Sequence, residues 1–335
     1  EVYKNTPCMA YTHLQPAEPT TLGYRFSVYA QDLLLDLQLL EFIEENLRAK
    51  GFKGAVGTSA SYVHLLGSPA KASEMESDAL RELGLTAFDV STQTYPRKQD
   101  YWVMIALASI AQSLHKFAFD VRLLQSPQYG ELAEAFKEKQ VGSSAMPFKR
   151  NPIACERVCS LARFVSSIPA LAWDNAAISL LERTLDDSAN KRVFLPQAFL
   201  ATDECLIQTQ KILAGLVVNE KIIEKNFDAF APFAGVEVVL LELAKNGVSR
   251  QDAHEWLREH SLNAWAEVQE GRKNNLIELI SSDKRISTKL GSRVASLMNA
   301  RKHVGDAPER CDLMLKQLRV KTKGLKARVA NESGF

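Results

Sequence analysis

The apolar positions of this chain recur at helical spacing over long stretches. Around its middle, Trp102, Val103, Ile105, Ala106, Ile110, Leu114, Phe117, Ala118, Val121 and Leu124 follow the three-to-four-residue interval of a helix face. Three stretches contain neither glycine nor proline: Tyr24 to Lys50, Arg97 to Ser126, and Ala170 to Leu195. Each predicts an uninterrupted helix of about 25–30 residues, roughly 40 Å long at 1.5 Å per residue. Alternating β-branched runs are few, so the predicted fold is nearly all α. It is an elongated bundle of long helices followed by a smaller helical C-terminal domain. The junction falls near Leu216 to Asn219, beyond which the helices shorten and gain charge, giving domains 1–216 and 217–335. In the second domain Ser249-Arg250-Gln251-Asp252 predicts a helix start, a capping box with Asp in place of Glu or Gln, and the helix continues through Leu257. Helices this long cannot bury their stripes alone, so packing between subunits is expected as well.

A length of 335 residues suits two domains or one elongated one. The net charge of +1 gives no global reason to expect nucleic acid or a membrane as partner. The six basic residues between Lys316 and Arg328 read as a solvated helix face. Five cysteines at irregular spacing point to reduced thiols. Cys155 and Cys159 read as small buried hydrophobes on a helix and not as half of a zinc site. The apolar run from Phe230 to Ala244 is broken by Pro232, Gly235, Glu237 and Glu242, so no membrane span is expected. With no secretory signal at its start, the chain is expected in the cytoplasm.

The chemistry concentrates between Gly142 and Pro152. Gly142-Ser143-Ser144 is flexible and rich in hydroxyls, and Pro147 restrains the turn that follows. Asn151-Pro152 opens a helix running Ile153 to Ser166, with Asn as cap and Pro at the first helical position. The positive end of that helix, the loop amides and Lys149 with Arg150 together predict an anion site.

The complete string Gly142-Ser143-Ser144-Ala145-Met146-Pro147-Phe148-Lys149-Arg150-Asn151-Pro152 resembles the signature of the fumarase/aspartase superfamily, whose members eliminate fumarate or a close relative from succinyl-type substrates. Thr12-His13-Leu14-Gln15-Pro16-Ala17 resembles that superfamily's histidine motif. Gln93-Thr94-Tyr95-Pro96-Arg97-Lys98, and Glu182 through Arg192, are similar to segments of its adenylosuccinate lyase branch.

The resemblance implies a role for each residue. Ser143 is the base that removes a carbon-bound proton. His13 is the acid that protonates the leaving nitrogen, oriented by Glu156. Lys149 and Asn151 stabilise the carboxylate dianion of the intermediate. Thr12 and Gln93 hold the succinyl part, Ser144 and Met146 contribute to the substrate site, and Arg157, Arg183, Ser188 and Arg192 hold the nucleotide. The expected partners are purine nucleotide substrates and further copies of the chain, as a homotetramer with shared active sites. No metal or organic cofactor is implied. The branch also has an N-terminal domain of roughly a hundred residues, an ordinary size for one domain, which supplies a second histidine. Because the sequence begins a dozen residues before His13, a fragment of a complete enzyme is expected. Two competing readings are another lyase of the superfamily, such as argininosuccinate lyase, and a non-catalytic relative that kept the scaffold.

Overall fold

The computed structural model describes residues 1–135, 146 and 148–325. In chain order the elements begin with strands β1 (Pro7–Thr12) and β2 (Gln15–Thr21), then helices α1 (Leu22–Asn46), α2 (Ala60–Leu66), α3 (Pro69–Arg81) and α4 (Lys98–Leu124). Strand β3 (Leu132–Ala133) precedes α5 (Ile153–Ala177) and α6 (Asp186–Ala214), and β4 (Val217–Val218) follows them. The last helices are α7 (Glu220–Phe230), α8 (Gly235–Lys245), α9 (Arg250–Gln269), α10 (Leu276–Ser282), α11 (Lys284–Leu290), α12 (Arg293–Leu297) and α13 (Ala307–Lys321). The nearly all-α expectation is met. Among the described residues the departures are small: antiparallel pairings of β1 with β2 and of β3 with β4, and an isolated parallel bridge between Ala49 and Ala87.

The residues group into two compact units. Among the described residues, one holds Glu1–Gln31, Leu123–Ala133 and residues 217–325, and the other holds Asp32–Arg122 and Glu134–Leu216.

In the first unit, the C-terminal helices bury a core of Val239, Leu243, Leu257, Leu276, Ile280, Ile286, Leu290, Val294 and Met298. A separate cluster of Cys8, Leu22, Leu124, Leu132 and Ile223 seats the β1–β2 hairpin on the start of α1. Gly23 permits that seat, because a Cβ there would come within 2.5 Å of the Lys4 Cα. The predicted start of α9 is present: the Ser249 hydroxyl accepts from the Asp252 N–H at 3.1 Å. The helix extends past Leu257 to Gln269.

In the second unit, α4, α5 and α6 share a core of Met104, Leu107, Ala111, Ala162, Val165, Ile168, Ala172, Phe194, Ala198 and Ala201. By length and composition α4 could cross a membrane, which the reading of apolar runs missed, but half of its most apolar stretch is buried in the fold. All five cysteines are buried. Cys159 Sγ contacts the His115 carbonyl at 3.9 Å and Cys205 Sγ the Val158 carbonyl at 3.8 Å.

The two first long stretches form single helices, but the third does not. Between α5 and α6 the chain leaves the helix at residues 178–185, where Leu181 takes a φ of 46°. No glycine or proline marks this break. At the first turn of α6 the Asp186 carboxylate accepts from Thr184 Oγ1 at 2.7 Å and from the Asp187 N–H at 3.1 Å, a local alternative to helix bonding on its N-terminal side. Conversely, Pro169 and Pro196 lie inside α5 and α6. An interior proline costs a helix about 3 kcal/mol. Burying one or two large apolar side chains, at about 1.5–3 kcal/mol each, offsets that, and Ile168 and Phe194 are buried beside these prolines.

Candidate active site

His13 stands at the tip of the β1–β2 hairpin in the first unit. Thr12 pairs with Gln15, so His13 and Leu14 form a two-residue loop. Both take positive φ, 54° and 61°, as the twist of so short a hairpin demands. Non-glycine residues adopt this backbone at a cost, most of all a bulky one such as Leu14. Thr12 and His13 are both exposed.

The hairpin is held from behind. Arg25 on α1 donates to the Met9 carbonyl of β1 and places Nη1 3.0 Å from Glu131 Oε2. Glu131 also accepts from Tyr11 Oη at 3.4 Å and from Asn226 Nδ2 at 3.1 Å. Burial, and then the nearby charge of Glu131, push the Tyr11 phenol well above its usual range. Burial pushes the Cys8 thiol up to about 11. The hairpin therefore rests on one satisfied, buried carboxylate. Sequence reading missed Arg25 and Glu131, since a lone glutamate before a short strand carries no local signal.

In the second unit, Met146, Lys149 and Glu156 are exposed and Asn151 is half-buried. Ser143 and Ser144 lie outside the described residues. Helix α5 starts at Ile153 as expected, but Pro152 occupies the capping position and no capping bond comes from its side chain. The cap is Glu134, whose carboxylate accepts from the Ala154 N–H at 3.1 Å and the Cys155 N–H at 2.5 Å. Burial and a hydrogen bond to Glu134 push the Cys155 thiol far up. This corrects the predicted anion site: the free amides of the helix start are already occupied by a carboxylate.

Two of the sequence segments meet. The Gln93 N–H donates to the Glu182 carbonyl at 3.3 Å. Arg97 Nε lies 2.7 Å from Asp187 Oδ2, and Arg183 Nη1 lies 3.4 Å from Asp187 Oδ1. Lys191 Nζ lies 2.7 Å from Asp100 Oδ2, which Tyr95 Oη reaches through Oδ1 at 2.6 Å. The Gln93 side chain itself is exposed. Arg192 donates to Ser188 on its own helix, to the hydroxyl and, at 2.8 Å, to the carbonyl. Arg157 stands apart from this group, 3.8 Å from Glu204 across the α5–α6 contact. A cavity of about 800 Å³ in the same unit lies among α2, α3 and residues 84–89, and among the described residues none of the predicted site residues lines it.

Residues 1–166 match the family described as Lyase, and residues 232–313 match the one described as Adenylosuccinate lyase C-terminus. The chain is 41% identical to the adenylosuccinate lyase of Schistosoma mansoni over 319 residues, covering 94% of this chain and 66% of that one. It is 40% identical to that of Saccharomyces cerevisiae over 313 residues, 92% of this chain and 64% of that one. With that of Archaeoglobus fulgidus it shares 33% identity over 314 residues, 94% of this chain and 68% of that one. The chain thus spans about two thirds of the length of the relatives it matches. Among solved structures, the 3-carboxy-cis,cis-muconate lactonizing enzyme of Pseudomonas putida aligns with a TM-score of 0.80 at 25% identity, over 96% of this chain and 68% of that one. A fumarate lyase from Mesorhizobium sp. BNC1 aligns with a TM-score of 0.79 at 24% identity, over 94% and 68%, a likeness of fold.

Proposed function

The chain belongs to the adenylosuccinate lyase family, and on that premise we propose that it eliminates fumarate from adenylosuccinate, giving AMP, and from the succinylated aminoimidazole carboxamide ribotide of purine biosynthesis. The observation that best supports this reading is the meeting of Gln93 with Glu182 and of Arg97 with Asp187. It joins a segment assigned to the succinyl part to one assigned to the nucleotide.

In the proposed mechanism Ser143 removes the proton from the carbon next to a carboxylate. The resulting dianion draws on Lys149 and on a hydrogen bond from Asn151. His13 protonates the departing nitrogen as a general acid, and Glu156 orients it. Serine is a weak base, and loop closure with exclusion of water makes it competent. Arg183 and Arg192 suit phosphate because a guanidinium can bind it through two parallel hydrogen bonds. No cofactor takes part.

The enzyme is further proposed to act in the cytoplasm as a homotetramer. Large apolar side chains stand half-exposed on the long helices of the second unit, among them Phe164, Leu171 and Trp173 on α5 and Phe199 and Leu200 on α6. Such faces mark association surfaces when they are contiguous. The test is turnover by the natural full-length protein. Release of fumarate from adenylosuccinate is expected. Cleavage of argininosuccinate in its place, or no turnover of either substrate, would overturn the reading.

A further inference from the structure

The charged cluster between the two segments does more than pair ions. Asp187 is buried, its side chain 3% exposed, and it lies between Arg97, four residues past Gln93, and Arg183 at the head of the nucleotide segment. Its contact with Arg97 is close but off the hydrogen-bonding line, so charge and not bond alignment holds it. Asp100 plays the matching part for Lys191 and Tyr95. The Tyr95 ring lies 4.8 Å from the Arg97 guanidinium and 4.5 Å from Lys191 Nζ, so both cations also rest on its face. Burial and the hydrogen bond to Asp100 push the Tyr95 phenol far up, which keeps it a neutral donor.

The charges balance in an informative way. Arg97 and Lys191 against Asp100 and Asp187 make a neutral set of side chains that are all largely buried. Arg183 is the odd cation and the most exposed of the five, tied to Asp187 through Nη1. Residues 178–185 lack regular structure, so the position of Arg183 depends on such ties: the Glu182 carbonyl to Gln93 on one side, and Asp187 on the other.

We infer that Asp187 and Asp100, with Arg97, Lys191 and Tyr95, act as positioning residues that clamp the Gln93 segment to the Arg183–Arg192 segment, so that the succinyl-binding and nucleotide-binding groups are set as one rigid piece. The inference rests on the proposed function for the identity of what is bound, though not for the existence of the clamp. Positioning groups that serve bound substrate and transition state alike change KM more than kcat. Two side chains of one clamp also act as a unit, so their losses do not add.

The test uses the natural full-length protein. Asp187→Asn is expected to speed hydrogen exchange at the Gln93 amide by about tenfold, and to raise KM for adenylosuccinate about tenfold while kcat changes less than about threefold. Adding Arg97→Gln to Asp187→Asn is expected to change KM by no more than about twofold further. Exchange at Gln93 within twofold of the parent, or KM effects that multiply in the double variant, would overturn the clamp. Tyr95→Phe removes one hydroxyl without opening a cavity and serves if Asp187→Asn does not fold: parent-like exchange at Gln93 in that variant also overturns the inference. The exchange measurement needs no substrate. If the parent does not release fumarate, the proposed activity fails, and the Gln93 exchange rate still decides the clamp.

Discussion

Glu131 is fully buried, and its Oε2 lies 3.0 Å from Nη1 of Arg25, itself 14% exposed. Removing one partner of such a pair strands the other charge away from water, at a cost of about 3–5 kcal/mol. Because Arg25 also holds the Met9 carbonyl, the loss extends to the hairpin that presents His13. Glu131→Ala is expected to lower the unfolding free energy, read from urea melts, by that amount and to reduce kcat. A stability within about 1 kcal/mol of the parent would show that the pair contributes as little as an exposed one.

Glu134 predicts a second, smaller effect. It satisfies two amides at the start of α5. Loss of a helix cap costs about 0.5–2 kcal/mol, so Glu134→Ala should lower the thermal midpoint by a few degrees. The same substitution frees those amides for an anion. Tighter phosphate binding by the variant, read by calorimetry, is the expected companion, and unchanged affinity would count against the occupied-cap reading.

The catalytic assignments predict distinct kinetics. His13→Ala should lower kcat by about 10²–10⁴-fold, the usual contribution of a positioned acid. Lys149→Met should lower kcat by about 10²–10³-fold through lost stabilisation of the dianion. Steady-state fumarate release measures both. Parent-like kcat in either variant removes that residue from its proposed role.

Asp283 carries a pH prediction. Hydrogen bonds from Arg285, and then from His260 at 2.7 Å, hold its carboxyl well below the usual carboxylate range, against the opposing effect of burial. A carboxyl depressed in the folded state binds fewer protons there than in the unfolded chain. Its stabilisation is therefore present above the unfolded carboxyl range and is lost as pH falls into the acid. Denaturant melts from pH 7 downward should lose stability more steeply in the parent than in Asp283→Asn. Parallel curves would contradict the assignment.

Much of the fold was legible because it rests on periodicity. The stripe from Trp102 to Leu124 lies within α4, where its members from Ala106 to Leu124 are buried and Trp102 is exposed, and Ser249 marks the start of α9. The sequence misled where punctuation and structure part company. Pro169 and Pro196 do not break their helices, since packing outweighs one lost hydrogen bond in each, whereas the break at 178–185 has neither proline nor glycine. The β1–β2 hairpin was missed because His13-Leu14 lacks the Asn-Gly chemistry that announces a tight turn. The motifs on which the proposed site rests were readable, but the contacts around them were not. Arg25 with Glu131 is a pairing across 106 positions, and Arg97 with Asp187 lies nearly as far apart in sequence, so neither leaves a mark in local spacing.

The positive φ values at His13 and Leu14 make the hairpin tip a place where folding and chemistry compete. A left-handed backbone costs an ordinary residue roughly 1–2 kcal/mol, and glycine is largely spared that cost. Glycine at either position should therefore make a sturdier protein. At Leu14 the gain should come with activity intact, while at position 13 it should come with the loss of the proposed proton donor. A selection for heat resistance alone would thus steer this chain towards discarding an imidazole, and on the proposed assignment of His13 as the acid only a selection that also reads turnover would keep it in place.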